Sequence, residues 1–221
     1  MKSLLSIIAI IAIMLFAGVF AVNTHVSEGT ASEERGIQLS DASYGVTAVL
    51  EENPEEPVFP MLKLLELSES DLIRKNDLII RGTVTNIQNI RINAGEVNVT
   101  RAIVTVTPSA VLKGSAAGNV TILANCPIDG SFQIEDTETS SAIRVGMEGI
   151  FMLQAYGDNE LWELENAALR WKDLADYHFG DGRRYAFLAT PSGLLYAEWA
   201  YPSLQAGSLD DVWQYLQSFI G

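Results

Sequence analysis

Apolar and polar residues follow different rhythms in different stretches of this chain. From Leu4 to Val22 nearly every position is apolar, broken only by Ser6 and Gly18, and no formally charged side chain occurs between Lys2 and Glu28. Such a run predicts an N-terminal hydrophobic helix, because roughly 20 residues at about 1.5 Å each span a hydrocarbon core. The pattern then dissolves: residues 23–57 hold eight acids against the single base Arg35, with Asn53-Pro54 and Glu56-Pro57. This predicts an acidic tether or lead-in over residues 23–67, too polar to build a core of its own. Within it Val46 to Leu50 is a brief apolar patch able to pair with a later strand. Met61 to Leu67 reads as a short helix, and Ser70-Asp71-Leu72-Ile73 with Lys75 as a second one, capped by Ser and with its base near the end.

From Asp77 onward apolar and polar residues alternate, and β-branched residues dominate. Leu78 to Thr85 begins a first strand, with Gly82 marking a bulge or tight bend. Val99 to Val106 is the second, interrupted by Pro108 before Val111-Leu112-Lys113-Gly114 closes it, and Val120 to Leu123 is a third. A polar insertion from Asp129 to Ser141, expected to be mobile, precedes a fourth strand at Gly149 to Gln154. Tyr156-Gly157-Asp158-Asn159 then turns the chain into a fifth, Leu161 to Leu164. No helix-length segment separates the central strands, so the pattern predicts a small closed barrel in a mainly β domain, residues 68–221. Val84, Val104, Val106, Ile122, Phe151 and Leu153 should be buried together in it. Further on, Tyr185 to Ala189 and Leu194 to Tyr201 flank Thr190-Pro191-Ser192-Gly193 as a hairpin. Ser208 should cap a final helix, Leu209 to Ile220, with Leu209, Val212, Trp213, Leu216 and Ile220 on one face.

Charge sharpens the first reading. Lys2 before the apolar run, and Val19-Phe20-Ala21 with small residues at the outer positions, fit a secretory signal cut after Ala21; the length fits an uncleaved anchor equally. Either way residues 1–22 direct the rest out of the cytoplasm, secreted or held on the membrane through residues 3–22, because the flanking positive charge stays inside. The only cysteine is Cys126, so a lipid-modified cysteine after the run is excluded, and an internal disulfide with it. Without residues 1–21 the chain carries 13 Lys and Arg against 28 Asp and Glu, a net charge of −15. That excludes nucleic acid as a partner, since phosphates are bound by Lys and Arg.

Asn76-Asp77-Leu78-Ile79-Ile80-Arg81-Gly82-Thr83-Val84, then Val111-Leu112-Lys113-Gly114, Val120-Thr121-Ile122 and Arg144-Val145-Gly146-Met147-Glu148-Gly149-Ile150-Phe151-Met152-Leu153, follow one another in a recurrent order. That order resembles exported OB-fold proteins similar to the netrin and TIMP (tissue inhibitor of metalloproteinases) N-terminal modules. The likeness spans Asn76 to Glu165. It implies a five-stranded Greek-key barrel, here with an added C-terminal hairpin and helix, used for contact with protein or carbohydrate. TIMP-type inhibitors put a processed N-terminal Cys on the protease zinc and staple the module with disulfides. The matching region here has neither, so metalloprotease inhibition does not carry over.

Chemistry is sparse in the remaining residues. His178 lies in Asp176-Tyr177-His178-Phe179-Gly180-Asp181-Gly182-Arg183-Arg184, where a His, carboxylates and Arg cluster. As an enzyme, His178 would be a general base oriented by Asp176 or Asp181, with Arg183 clamping an anion; as structure, the stretch is a polar loop. No His-x-x-x-His or other metal set is readable, and no cofactor motif. Twelve of the nineteen aromatic residues follow residue 160. Trp162, Trp171, Trp199 and Tyr201 therefore form either a face for stacking sugars or part of the core. The sequence favours an extracytoplasmic, non-catalytic binding module for a protein or glycan; the alternatives are an enzyme using the Asp176–Arg184 loop and a structural cell-surface protein.

Overall fold

The computed structural model describes residues 35–55, 64–129 and 137–220. The expected N-terminal hydrophobic helix, the first part of the tether, Met61 to Lys63 and most of the insertion at 130–136 lie outside them. Among the described residues no helix is long and apolar enough to cross a membrane.

The protein is mainly β. Its strands are β1 (Val46–Leu50), β2 (Leu78–Ala94), β3 (Val97–Lys113), β4 (Val120–Ala124), β5 (Glu148–Ala155), β6 (Leu161–Leu164), β7 (Ala167–Arg170), β8 (Tyr177–His178), β9 (Ala186–Thr190) and β10 (Gly193–Leu195). Among the described residues two α-helices accompany them, α1 (Glu69–Arg74) and α2 (Leu209–Gln217). Eight strands form one sheet in the order β1-β2-β3-β4-β8-β5-β9-β10, and β2 also pairs with β5. That extra pairing partly closes the sheet into a ring, β2-β3-β4-β8-β5 and back to β2, in which β4 and β8 run parallel and the other neighbours antiparallel.

The long β2–β3 pair bends because it carries bulges. Pro108 does not interrupt β3 but sits where Arg81 faces Ala110 while Gly82 faces Pro108, so Ser109 is the extra residue. A proline is tolerated there because β4 pairs only with Ala102 to Val106 and leaves Pro108 without a neighbour on that side. Gly82 is required at this bend: a Cβ would stand 2.5 Å from the Thr107 carbonyl oxygen. A second shift between Val84 and Asn86 adds to the curvature.

Inside the ring Val84, Val104, Val106, Ile122, Phe151 and Leu153 are all fully buried in one cluster, as the alternation predicts. The helix α2 closes the cluster with Leu209, Val212 and Leu216, capped by the Ser208 side chain accepting the Asp211 N–H. Ser68 does the same for α1.

Several expectations fail. Leu161–Leu164 is not the ring's fifth strand; it pairs only with β7, in a separate two-stranded sheet. The ring is completed instead by the two residues of β8, too short a strand to leave an alternating pattern. Leu64 to Leu67 forms no helix, because regular structure starts only after the Ser68 cap. The described end of the polar insertion, Thr137 to Ser141, is not a mobile loop: Thr137, Thr139, Ser140 and Ser141 are buried, and Ser140 N–H donates to the Gly182 carbonyl. The second arm of the C-terminal hairpin is strand only over Gly193–Leu195, after which Glu198–Ala200 makes a single 3-10 turn whose Ala200 is buried.

Val46–Leu50, inside the acidic lead-in, is the strand β1, paired antiparallel with Ile90 to Ala94 of β2. Residues 35–50 strap across the β6–β7 hairpin and close a second apolar cluster, in which Ala48, Ile90, Ile92, Tyr156, Leu169 and Leu174 are buried. Gly45, at φ 65°, allows the crossing, since a Cβ there would stand 2.5 Å from the Asn166 carbonyl oxygen.

Candidate functional site

The short β8 carries His178 between β4 and β5, opposite Leu123 and Gln154. Its Nδ1–H donates to the Phe179 carbonyl at 2.9 Å and its ring rests 4.6 Å from that of Tyr156. Neither nearby carboxylate meets it. Asp176 exchanges two hydrogen bonds with Thr121, accepting from the hydroxyl at 3.0 Å and donating its N–H to it at 3.1 Å. Asp181 turns the chain instead, accepting the N–H groups of Arg183 and Arg184 and the Arg184 Nε at 2.7 Å. Arg183 forks onto Glu138 with two 2.6 Å bonds. Each of these side chains makes its own local contacts, and neither Asp176 nor Asp181 is hydrogen-bonded to His178.

The four aromatic residues separate into different settings. Trp162 on β6 stacks on Trp171 with centroids 5.7 Å apart, and Trp171 in turn lies 5.8 Å from Tyr156. With His178 these rings make a ladder along the second cluster, its Trp162 and Trp171 half-buried. Trp199 is 60% exposed and covers the guanidinium of Arg184 at 6.0 Å. Tyr201 is a core residue: it is 1% exposed, packs 5.0 Å from Phe187, and its hydroxyl donates to the Arg184 carbonyl. Tyr201 thus cannot share an outer face with Trp199.

Cys126 is buried beside Ser140, and burial pushes its thiol above the ordinary range. Among the described residues no three His, Cys, Asp or Glu side chains converge as a metal site requires.

Two arrangements carried no sequence signal. The first is a buried carboxylate. Asp173, with its side chain 3% exposed, accepts from the Ser40 N–H and hydroxyl and the Ser43 hydroxyl on Oδ2, and from Arg170 on Oδ1. Burial alone would raise this carboxyl; the hydrogen bonds from Ser43, Ser40 and Arg170 outweigh it and hold the pKa at about 2. The second is a pocket of about 280 Å³ between the start of α2 and the β9–β10 hairpin. Arg81 crosses its floor from Glu148 on β5, at 2.7 Å, to Asp210 in the first turn of α2. Ala189, Leu194 and Leu209 supply apolar walls. Sequence separates these residues by up to 129 positions, so only folding brings them together.

No protein-family model, no curated protein and no solved structure matches this chain.

Proposed function

We infer that this protein is an extracytoplasmic, non-catalytic binding module built on an OB-type Greek-key barrel, with a polypeptide as its ligand. The ring order carries the reading. Strands β2, β3 and β4 follow one another as antiparallel neighbours, and β5 returns to lie beside β2, which is the spatial order of a Greek key. Closure of that key by β8 matches a five-stranded, partly open barrel, an architecture whose faces and loops serve as binding surfaces. The engagement of His178, Asp176 and Asp181 in local structure weighs for binding over catalysis.

Export is part of the same reading and rests on the charge-free run after Lys2. A reporter active only outside the cytoplasm, fused after Gly221, should be active; a silent reporter on an expressed fusion would remove the extracytoplasmic assignment. A glycan ligand is the second reading, favoured by the half-buried Trp162–Trp171 stack. Oligosaccharides that quench tryptophan fluorescence in the parent protein but not in Trp162→Ala would move the ligand class from polypeptide to sugar.

A further inference from the structure

The two edges of the eight-stranded sheet are finished differently. On the outer side of β1 the chain itself supplies a neighbour: Ile37 N–H donates to the Ala48 carbonyl at 2.7 Å, and Leu50 N–H to that of Arg35 at 3.1 Å. At the other edge, among the described residues, β10 has a strand neighbour on one side only, β9. An unpaired edge is a ready template for an added strand. Gly193 opens β10 with φ +123°, and no heavy atom lies within 4 Å of where a Cβ would stand, so the sheet face is open at the start of β10.

The pocket of about 280 Å³ adjoins this edge, since Gly193 and Leu194 of β10 line it. Its charges are unequal. Arg81 bonds one oxygen of each carboxylate, Glu148 Oε1 and Asp210 Oδ1, leaving the second oxygen of each to accept from elsewhere. One guanidinium against two carboxylates leaves the pocket one negative charge, and Leu194, Leu209 and Ala189 provide an apolar channel for a methylene stem. The whole chain, at −14, attracts a cationic partner toward it.

We propose that β10 and the adjoining Arg81–Glu148–Asp210 pocket form a docking site for an extended segment of a partner protein, paired to the β10 edge and placing one Lys or Arg side chain between Glu148 and Asp210. The proposal rests on the binding-module reading and assigns its surface and partner chemistry. Backbone pairing supplies the orientation and the basic side chain the selectivity.

The test is selection of random seven-residue phage-displayed peptides on the full-length chain, held by a C-terminal tag. Enriched sequences should be rich in strand formers and carry Lys or Arg at one fixed position. The double variant Glu148→Gln, Asp210→Asn should weaken the best synthetic peptide about tenfold or more, and raising salt should weaken it in the parent. Because freeing Arg81 could disturb the fold, the second measurement leaves the protein untouched: N-methylating each peptide residue in turn should abolish binding at alternate positions only, as strand pairing requires. Enriched peptides without a basic residue, no enrichment at all, or N-methyl sensitivity without alternation each overturn the proposal. Peptides that bind the double variant equally well but fail on Trp162→Ala also overturn it, while leaving the binding-module reading standing on another face.

Discussion

Two apolar clusters among the described residues differ in how they are built. The ring cluster is made from long alternating strands, with β2 and β3 paired along nearly their whole length. The second cluster is assembled from short pieces far apart in sequence, namely the strap at residues 35–50, the outer half of β2 and the β6–β7 hairpin, and a polar clasp holds them. Buried area stabilises the first; the second depends in addition on one carboxylate, Asp173, that ties residues more than 125 positions apart. A polar clasp is sensitive to protonation, whereas apolar packing carries no titratable group and is not.

The largest effect should come from the ring. Val104→Asp puts an unpaired charge among fully buried side chains, and urea denaturation should register a loss of about 4 kcal/mol or more, or no cooperative transition. A near-parental midpoint would mean that Val104 is not in the core.

Asp173→Ala should act on the second cluster alone. It removes the acceptor of the Ser40, Ser43 and Arg170 donors and should cost about 2 to 3 kcal/mol. Amide exchange should speed up over residues 36–50 while the ring core of β3 and β5 stays protected; uniform acceleration would show that the two clusters unfold as one. The pH dependence has a fixed sign. The Asp173 carboxyl titrates at about 2 in the fold, below its ordinary value of 3.8, so the unfolded chain takes up the proton first on acidification. Its contribution, about 2 kcal/mol from that difference, is complete above roughly pH 4 and is lost as the pH falls through 2. Parent and Asp173→Ala stabilities should therefore converge between those limits, and a difference that stays constant would contradict the clasp.

His178→Ala should have the smallest effect, about 1 kcal/mol or less, from loss of its ring contact with Tyr156. Thermal melting measures it. A much larger loss would make the His178 ring a structural element joining the two clusters.

The ring was legible in the sequence because period-two alternation reports a half-buried strand directly: the residues expected in its core are buried there, and Gly82 does mark a bend. The helix α2 was legible from its cap and apolar face. The strap reads as a tether in the sequence because it lies among the acids and prolines of residues 23–57, whereas its few apolar residues find their partners in β2 and β7, forty or more positions away. Likewise Leu161–Leu164 has the strand pattern of a ring member, but pattern states that a strand forms, not which neighbour it takes. Aromatic residues near one another in the chain went to different places, Tyr201 to the core and Trp199 to the surface.

By itself the sequence determined the mainly β character, the core of the ring, the final helix and the net negative charge, since each is a property of local periodicity or of composition. Tertiary structure alone decided that β8 rather than Leu161–Leu164 closes the ring, that Asp173 clasps Ser40 and Ser43, and that Arg81 meets Glu148 and Asp210 beside an open edge. Those outcomes depend on distances between residues remote in the chain. Local patterns fix which way a side chain faces, while the path of the backbone fixes what it meets.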